Sequence, residues 1–306
     1  MLVTEGQIPD EELARLLDEV PNHEPVSQGG NSSIYRTRWN DRDIAIKDYR
    51  ARSDLKIRAS REWNGLSLLW SSGLRIAPEP LGVNLVRGLL AMEWIETSDD
   101  RDPISPDEAI SLLKQLRRAE NDPLSHSLDD AADSILEPRD LLRQVNERLV
   151  GLRKHESLGG VLKSVEQALE MLSDPGNGSH TAIRILSPSD FGSHNSIRGA
   201  RGVRLIDLEF FGWDDAHKLV ADTILHPMNP WTNEARWKFI ESAQSLYSLD
   251  TERLMSVTRL GALKWAVIII ARAFRQQSEG DLEGCSTSLG LADAYARRAL
   301  EFEPWR

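Results

Sequence analysis

Three polar side chains in one part of the sequence have types and spacing that could bind a metal and act on a phosphate. Asp190 lies in the turn-rich segment SPSDFGSHN, Asn195 follows five positions later, and Asp207 ends a short apolar run beyond them. The oxygens of Asn195 and Asp207 are hard ligands of the kind that Mg²⁺ prefers, and Mg²⁺ commonly bridges substrate phosphates. The pattern therefore indicates chemistry on a phosphate-bearing molecule held by a magnesium ion.

A glycine-rich loop near the N-terminus could hold the phosphates themselves. It lies between two predicted strands and consists of Gly29, Gly30, Asn31 and Ser32. Glycine has no Cβ to obstruct close approach, so this loop could bend over a ligand and offer its N–H groups to phosphate oxygens. On this motif alone, an ordinary hairpin turn is the alternative.

Lys47 and Glu62 form a second candidate for phosphate binding. Lys47 lies in the predicted strand DIAIKDY. The alternation of side chains along a strand puts Ile44 and Ile46 on one side of the sheet and Lys47 on the other. Glu62 falls on the stripe of the following helix that faces the sheet. Because an isolated buried charge is very costly, we predict that Glu62 pairs with Lys47.

Composition and charge narrow the class of protein. The chain has 306 residues, of which 40% are hydrophobic and 28% charged, as is ordinary for a soluble globular protein with two lobes or domains. The single cysteine, Cys285, excludes an intrachain disulfide framework and a cysteine-based zinc site. The net charge of −11 disfavours nucleic-acid binding. This acidity would suit a cationic substrate, or it could simply keep the protein soluble.

Signals for targeting and membrane insertion are weak in this sequence. The N-terminal segment lacks the basic start and apolar core of a secretory signal. The longest apolar run, from Trp265 to Ala271, is too short to cross a bilayer and is typical of part of a buried helix. We therefore expect a cytoplasmic protein with no membrane partner.

The first third of the sequence predicts a small sheet with one helix packed on it. A short helix in DEELARLLDEV precedes the sheet and stops before Pro21. Alternating or β-branched residues predict strands at 24–28, 33–39, 43–49, 81–86 and 89–95. The helix that carries Glu62 is predicted at 54–72.

Long helices dominate the rest of the sequence. Ser105 and Glu108 form a capping-box pattern with Pro106 at the first helical position, so a helix begins there. Further helices are predicted at 128–154, 161–172, 215–225, 232–249, 250–277 and 285–301, and a hairpin turns at Gly199 to Gly202. We expect an N-terminal lobe (1–96) and a C-terminal lobe (97–306), with a ligand in the cleft between them.

The order and spacing of these segments resemble the aminoglycoside phosphotransferase and choline kinase-like branch of the protein-kinase-like superfamily. The resemblance extends from about Val26 to Pro227 through SQGGNSSIY, IAIKDY, REWNGLSLL, APEPLG, LAMEWIE, SPSDFGSHN and LIDLEFFGWDDAHKLVAD. It implies an α+β, two-lobed protein-kinase-like fold, with a small antiparallel-sheet N-terminal lobe and a larger, mainly helical C-terminal lobe. It also implies ATP and Mg²⁺ as cofactors, and γ-phosphoryl transfer to a hydroxyl of an aminoglycoside, choline-like amine, amino acid or sugar.

The resemblance also implies a role for each candidate residue. The loop backbone would cover the phosphates, and Lys47, paired with Glu62, would hold the α- and β-phosphates. Asp190 has the five-residue spacing to Asn195 of the protein-kinase catalytic loop, so it would orient the acceptor hydroxyl and receive its proton. Asn195 and Asp207 would hold Mg²⁺. The strand end that would offer backbone hydrogen bonds to adenine consists of Glu93, Trp94 and Ile95.

The sequence departs from the family pattern in the catalytic loop. Pro188 stands two residues before Asp190, where the family usually has a histidine that braces the loop. The fixed φ of proline could brace the loop in another way. His194 matches none of the family's functional positions, and we assign it no role.

Four carboxylates near Asp207 allow two interpretations. They are Glu209, Asp214, Asp215 and Asp222. They could form an acidic rim for an aminated substrate. Asp214 or Asp215 could instead cap the following helix, and Asp222, inside that helix, could brace the catalytic loop. We favour capping and bracing over substrate contact.

Two other classes of function are open at this point. Pro188 and the atypical glycine loop would suit a catalytically silent kinase-like protein that binds a nucleotide or acts as a scaffold. Residues 230–306 could instead recruit a protein partner through helices joined by a mobile connection, SEGDLEGCST. The sequence does not identify the acceptor, choose between ATP and GTP, or set the oligomeric state.

Overall fold

The N-terminal lobe is a small antiparallel sheet with helices on both faces. A computed structural model describes residues 8–19, 24–28, 31–97, 102–137, 139–154, 159–172 and 181–301. The elements of this lobe are α1 (Asp10–Glu19), β1 (Ser27–Gln28), β2 (Ser33–Trp39), β3 (Arg42–Asp48), α2 (Leu55–Ser71), β4 (Pro80–Asn84) and β5 (Leu89–Glu93). The five strands form one sheet in the order β1-β2-β3-β5-β4.

The hairpin of β2 and β3 sets the two faces of this sheet. Asn40 and Asp41 form its turn with φ of 46° and 60°, the left-handed backbone that a tight two-residue turn requires. Ile44 and Ile46 face a small apolar cluster shared with α1. Lys47 lies on the opposite face, toward α2, as the alternation of side chains predicts.

The C-terminal lobe is mainly helical. Its helices are α3 (Pro106–Ala119), α4 (Asp140–Leu152), α5 (Gly159–Leu172), α6 (Ala216–Leu225), α7 (Asn233–Tyr247), α8 (Thr251–Ser278) and α9 (Leu282–Arg298). Two short antiparallel pairs carry the loops of interest, β6 (Arg184–Ser187) with β9 (Gly212–Asp215) and β7 (Ser196–Gly199) with β8 (Gly202–Leu205). The hairpin predicted at Gly199 to Gly202 is therefore present. One apolar core extends from α2 across this lobe.

The helix predicted at 128–154 begins only at Asp140. A proline at position 138 disfavours helical backbone in the residue before it. The segment before α4 instead forms backbone hydrogen bonds with β9 and its flanking residues. Gly212 permits this approach, because a Cβ there would lie 2.5 Å from the carbonyl oxygen of Asp129.

The connection between the last two helices is shorter than predicted. α9 begins at Leu282, because Asp281 caps the helix by accepting the N–H of Gly284 at 2.8 Å. Only residues 279–281 separate α8 from α9, so most of the segment SEGDLEGCST is helical. The connection considered for a partner-binding unit is therefore three residues long and not ten.

Among the described helices, α8 alone is long and apolar enough to cross a membrane by length and composition. It has 28 residues, so the sequence prediction of a run too short to span considered only part of the helix. However, 67% of its most apolar window is buried inside the protein, as in the core helix of a soluble protein. α8 packs against α4, α6 and α9.

Candidate active site

Lys47 lies at the centre of an ion-pair network between the two lobes. Its Nζ is 2.9 Å from a carboxylate oxygen of Glu62 in α2 and 2.7 Å from Oδ1 of Asp207, which follows β8. Only 3% of the Lys47 side chain and 1% of the Glu62 side chain are exposed. The predicted pairing of Lys47 with Glu62 is present, and Asp207 joins it.

Two further hydrogen bonds hold Glu62. The hydroxyl of Tyr49 donates to one carboxylate oxygen, and the N–H of Leu208 donates to the other at 3.2 Å. Burial opposes the charge of Lys47, but the carboxylates of Glu62 and Asp207 outweigh burial and raise the pKa of Lys47. Lys47 is therefore a fixed cation that can neutralise phosphate oxygens.

Asp190 follows a tight turn after β6. Ser189 has a φ of 63°, and the N–H of Asp190 donates to the carbonyl of Pro188 at 2.8 Å. Lys218 of α6 supports the turn, because its Nζ donates to Oγ of Ser189 at 3.3 Å. The resemblance predicted a histidine at Pro188, but this turn is held by a backbone hydrogen bond and a buried lysine.

Two histidine rings face the carboxylate of Asp190. Nε2 of His226, directly after α6, is 2.9 Å from Oδ1, and Nε2 of His194 is 3.6 Å from Oδ2. The N–H of Met228 donates to Nδ1 of His226 at 3.0 Å, so the proton of the neutral ring lies on Nε2 and points at Asp190. Burial alone would raise the pKa of Asp190, but the hydrogen bonds from His194 and His226 hold it well below its usual range.

The hairpin of β7 and β8 brings the two predicted metal ligands to one cavity. Asn195 directly precedes β7, and the N–H of Ile206, directly after β8, donates to its carbonyl at 2.9 Å. The amide nitrogen of Asn195 donates to the carbonyl of Asp190 at 3.1 Å, which leaves its amide oxygen as the group for a cation. Asp207 has a φ of 61° and follows Ile206 at the end of the hairpin.

A cavity of about 390 Å³ lies between the lobes next to these groups. Lys47, Asn195 and Asp207 line its polar end. Ala45 and Met92 contribute to an apolar wall, which would suit a flat heterocyclic base. The cavity has the mixture of an apolar wall and a few convergent charged groups that a nucleotide needs.

The strand end predicted to contact adenine also lines this cavity, but most of its N–H groups are already used. The N–H of Glu93 donates to the carbonyl of Glu79 at 2.9 Å, and that of Trp94 to the carbonyl of Asp43 at 3.4 Å. In the part of the chain that the structure describes, Ile95 is the one of the three whose N–H has no protein acceptor. The predicted backbone contact with adenine is thereby narrowed to Ile95, whose N–H could donate a hydrogen bond to a base.

The glycine-rich loop is described only in part. Gly29 and Gly30 lie outside the described residues, so their place over the phosphates stays a prediction. The amide nitrogen of Asn31 donates to Oε1 of Glu209 at 2.7 Å, and Ser32 lines the cavity. Asn31 thus connects this loop to the segment that follows Asp207.

Glu209 is buried in the site instead of lying on an acidic rim. Only 1% of its side chain is exposed, and Arg58 and Asn31 donate to Oε1. Oε2 is buried and has no hydrogen-bond donor among the described residues. Burial and the nearby charge of Asp207 raise the pKa of Glu209. An orphaned oxygen beside a second carboxylate is a place where a cation would be stabilised.

The three other carboxylates of this segment have structural contacts. Asp215 caps α6 by accepting the N–H of His217 at 3.2 Å. Asp214 and Asp222 contact Lys218 at 2.6 and 3.3 Å, and Lys218 in turn supports the turn that precedes Asp190. Capping and bracing therefore describe these residues better than contact with a substrate.

Sequence reasoning missed His226 and Lys218. His226 and Asp190 are 36 positions apart, and no spacing rule connects the end of one helix with a loop so far upstream. The only signal was a polar residue that directly follows an apolar helix, in HPMNP. His194, to which we assigned no role, contacts Asp190 and lines the cavities on both sides of it.

Comparison with known proteins gives matches of structure and none of sequence. No protein-family model matches the chain, and no curated protein matches it. The choline kinase LicA from Streptococcus pneumoniae matches with a TM-score of 0.59 and 15% identity, over 94% of this chain and 99% of that one. The gentamicin complex of APH(2")-IIa matches with a TM-score of 0.60 and 16% identity, over 95% and 97%. An ethanolamine kinase from Plasmodium vivax matches with a TM-score of 0.57 and 13% identity, over 98% and 96%.

The chain therefore has the two-lobed kinase-like fold that choline kinases, ethanolamine kinases and aminoglycoside phosphotransferases share. The fold class predicted from the sequence, and the resemblance to this branch, are confirmed at the level of fold. At 12% to 16% identity the likeness is one of fold, so the activity has to be argued from the site.

Proposed function

We propose that this protein is a phosphotransferase that uses ATP and Mg²⁺ and transfers the γ-phosphoryl group to a hydroxyl of a small molecule. The observation that carries this proposal is that two cavities meet beside Asp190. Lys47, Asn195 and Asp207 line the cavity between the lobes. Asp190 lines the neighbouring cavity, and His194 lines both. Phosphoryl transfer depends mainly on positioning two substrates and neutralising charge, which suits this arrangement.

Asp190 is placed to act on the acceptor hydroxyl. His226 is 2.9 Å from Oδ1 and His194 is 3.6 Å from Oδ2, so Oδ2 is the less tightly held oxygen and would accept a hydrogen bond from the hydroxyl. Because its pKa is lowered, the carboxylate is ionised at neutral pH and can take the proton as the new oxygen–phosphorus bond forms. Lys47 would neutralise the phosphates from the other side.

The donor set fits a magnesium ion. The amide oxygen of Asn195 and the carboxylate of Asp207 would be its ligands, and Oε2 of Glu209, which has no donor among the described residues, lies in the same segment. When bound, Mg²⁺ would neutralise charge on the β- and γ-phosphate oxygens. A solved neighbour, LicA, was crystallised in complex with AMP, which supports the binding of an adenine nucleotide by this fold.

The two lobes would divide the work. We assign nucleotide binding to residues 1–96, and catalysis and acceptor binding to 97–306. A cytoplasmic location, where ATP is abundant, accords with this role and with the burial of α8.

Nucleotide turnover by the wild type and by Asp190→Asn tests the proposal. The assay measures ADP release and product mass with MgATP and a panel of aminoglycosides, amino alcohols, hydroxylated acids and sugars. We expect Asp190→Asn to lower kcat by about 10³-fold while MgATP binding persists, because the isosteric amide cannot take a proton. Asp293→Asn, which removes a surface ion pair, is the matched control and should retain activity.

Two results would contradict the proposal. If MgATP fails to bind the wild type, as measured by a thermal shift, the nucleotide assignment is wrong. If MgATP binds but neither an acceptor nor slow hydrolysis releases ADP, the protein is the catalytically silent relative considered above.

A further inference from the structure

A second cavity contains Asp190 and extends along α8. It has a volume of about 390 Å³ and is called here the acceptor groove. The α8 residues in its wall include Lys264, Ile268, Arg272 and Arg275. These positions are separated by four, four and three residues, so they lie on one face of the helix. The charged side chains on this face of α8 therefore contact a molecule that binds in the groove.

The buried charges at the inner end of the acceptor groove pair with one another. Nζ of Lys264 lies 3.8 Å from a carboxylate oxygen of Asp222 and 3.7 Å from one of Asp133. Lys218 contacts Asp222 at 3.3 Å, and Arg148 pairs with Asp133. Each of the two carboxylates is thus shared by two cations. This cluster offers no unpaired negative charge for a cationic substrate.

Lys218 also pairs with Asp214 at 2.6 Å, so three cations face three carboxylates in this cluster, and the pKa values agree with these pairings. Burial alone would raise the pKa of Asp133, but Lys264 and Arg148 lower it. Burial lowers the pKa of Lys264, and the positive charge of Lys218 opposes the effect of Asp222.

Two arginines at the outer end of the groove lack partners. Arg272 and Arg275 are exposed, and among the described residues neither guanidinium forms an ion pair. Arg272 also borders a small depression that contains Asp281 and Glu283, but it pairs with neither of them. The outer end of the groove therefore presents two guanidinium groups that form no ion pair with any described carboxylate.

The distance between these charges and Asp190 follows from the helix. Trp265 contacts His226 with ring centroids 4.7 Å apart, and His226 bonds to Asp190, so this end of α8 lies at the catalytic aspartate. Arg272 and Arg275 follow seven and ten residues later, about 10 and 15 Å along the helix axis. The wall between the two ends is apolar and includes Phe210, Trp265, Ile268 and Ile269.

We propose that the acceptor is an alcohol with an oxyanion, a carboxylate or a phosphate, at its far end. The hydroxyl lies at Asp190, an apolar stretch of the molecule follows the isoleucines of α8, and Arg272 and Arg275 bind the oxyanion. Because an arginine side chain reaches several ångströms, a separation of about 8 Å between hydroxyl and oxyanion suits this geometry. This inference rests on the proposed phosphotransferase function, and it reverses the cationic acceptor that the acidic composition allowed.

Three probes of equal length test the charge preference. They are 6-hydroxyhexanoate, 1,6-hexanediol and 6-amino-1-hexanol, which end in an anion, a neutral group and a cation. Calorimetry without nucleotide measures binding to the intact protein, and a fourth probe, 6-hydroxyhexyl phosphate, distinguishes a phosphate from a carboxylate site. We expect the anionic probes to bind about tenfold more tightly than the diol, and the amine more weakly still. Added salt should reduce this preference.

The variant Arg272→Gln/Arg275→Gln should lose the preference while binding of the diol is unchanged. Arg118→Gln, an exposed arginine on α3 outside the groove, is the matched control and should keep the preference. Equal binding of the anionic, neutral and cationic probes, or a preference that survives in the double variant, overturns the inference. ADP release with the same probes separates the two proposals. Anion-selective binding without transfer contradicts the proposed function alone, and transfer without anion preference contradicts only the acceptor class.

Discussion

At the scale of single residues, Pro188 stands where the resemblance predicted a histidine, and His226 contacts Asp190 from another part of the chain. Pro188 cannot donate a hydrogen bond from its side chain, and the carboxylate of Asp190 is oriented instead by a ring that enters from the end of α6. Met228 fixes the tautomer of that ring through its N–H. Asp190 is therefore oriented by two rings, that of His194 from its own loop and that of His226 from outside it. This makes His226 a positioning residue.

Replacing His226 by glutamine or by asparagine separates its two hydrogen bonds. The amide nitrogen of Gln lies near the position of Nε2 and can donate to Asp190, whereas Asn keeps only the acceptor for Met228. We expect His226→Asn to lower kcat by about 10²-fold and His226→Gln by less than about tenfold, because misplacing Asp190 costs rate. Steady-state kinetics should show an unchanged KM for ATP. Equal losses in the two variants, or a matching rise in that KM, would mean that His226 only supports the fold.

Removing Lys47 should destabilise the protein as well as weaken nucleotide binding. Lys47→Met leaves Glu62 buried without its cation, which costs about 3 kcal/mol of the free energy of unfolding. Adding Glu62→Gln should restore part of this stability in urea unfolding, although MgATP binding stays weak. Lys163→Met, an exposed lysine on α5, is the control. If Lys47→Met is no less stable than this control, the buried pair is not the structural element inferred here.

At the scale of elements, the capping box of α3 is tied to the hairpin that carries the metal ligands. Ser105 and Glu108 form the predicted reciprocal hydrogen bonds at the start of α3. Arg198 of β7 then pairs with both carboxylate oxygens of Glu108. The start of one helix therefore holds the strand that follows Asn195. A substitution at Glu108 should therefore also weaken the attachment of the β7–β8 hairpin to α3.

The ion pair between Arg198 and Glu108 should make the stability of the protein depend on pH in the acid range. The hydrogen bond from Arg198, reinforced by Ser105, lowers the pKa of Glu108 from 4.5 to about 2. Since the folded protein has the lower pKa, the contribution is present above about pH 4.5 and is lost as the pH falls toward 2. Glu108→Gln, which can still cap, should lower the free energy of unfolding by about 1 kcal/mol at pH 7 and by much less at pH 2.5.

Urea unfolding at the two pH values measures this difference. Glu241→Gln, an exposed glutamate on α7, is the control and should change stability at neither pH. If Glu108→Gln lowers the free energy of unfolding by the same amount at pH 7 and at pH 2.5, the ion pair with Arg198 does not contribute to that loss.

At the scale of the whole molecule, ion pairs join the lobes and α8 holds the C-terminal lobe together. Lys47 reaches Asp207, and Arg204 of β8 pairs with Glu93 at the end of β5. α8 contributes its apolar side chains to the core that it shares with α4, α6 and α9. These contacts argue against a separate partner-binding unit at residues 230–306.

Truncation after Leu249 should therefore make the protein insoluble. It removes α8 and α9 and exposes the apolar faces of α4 and α6 that pack on them. Solubility and the far-ultraviolet circular dichroism of the truncated chain, beside the full chain, measure the effect. A soluble truncated chain with native helix content would revive the idea that the terminal helices recruit a partner.

The residues of the candidate site were predicted with very different success. Lys47 and Glu62 could be paired because strand alternation, a helical stripe and a buried charge in need of a partner are local signals. Asp207 was brought to the same site only by the resemblance. His226 could not be predicted, because its role depends on where the end of α6 meets a loop in three dimensions. The predicted start of the helix at 128–154 was wrong for a related reason, because the segment before Asp140 forms backbone hydrogen bonds with β9 instead.

By itself the sequence predicted the class of the fold, the groups that would hold a phosphate and a metal, and the aspartate that would act on a hydroxyl. The pairing of Lys47 with Glu62 follows from periodicities that act over a few turns or a strand, whereas the fold class and the role of Asp190 follow from the resemblance. Only the tertiary structure decided how Asp190 is oriented and which charges face the acceptor. Both depend on contacts between residues far apart in the chain, where α6 and α8 bring histidine, lysine and arginine side chains to one groove.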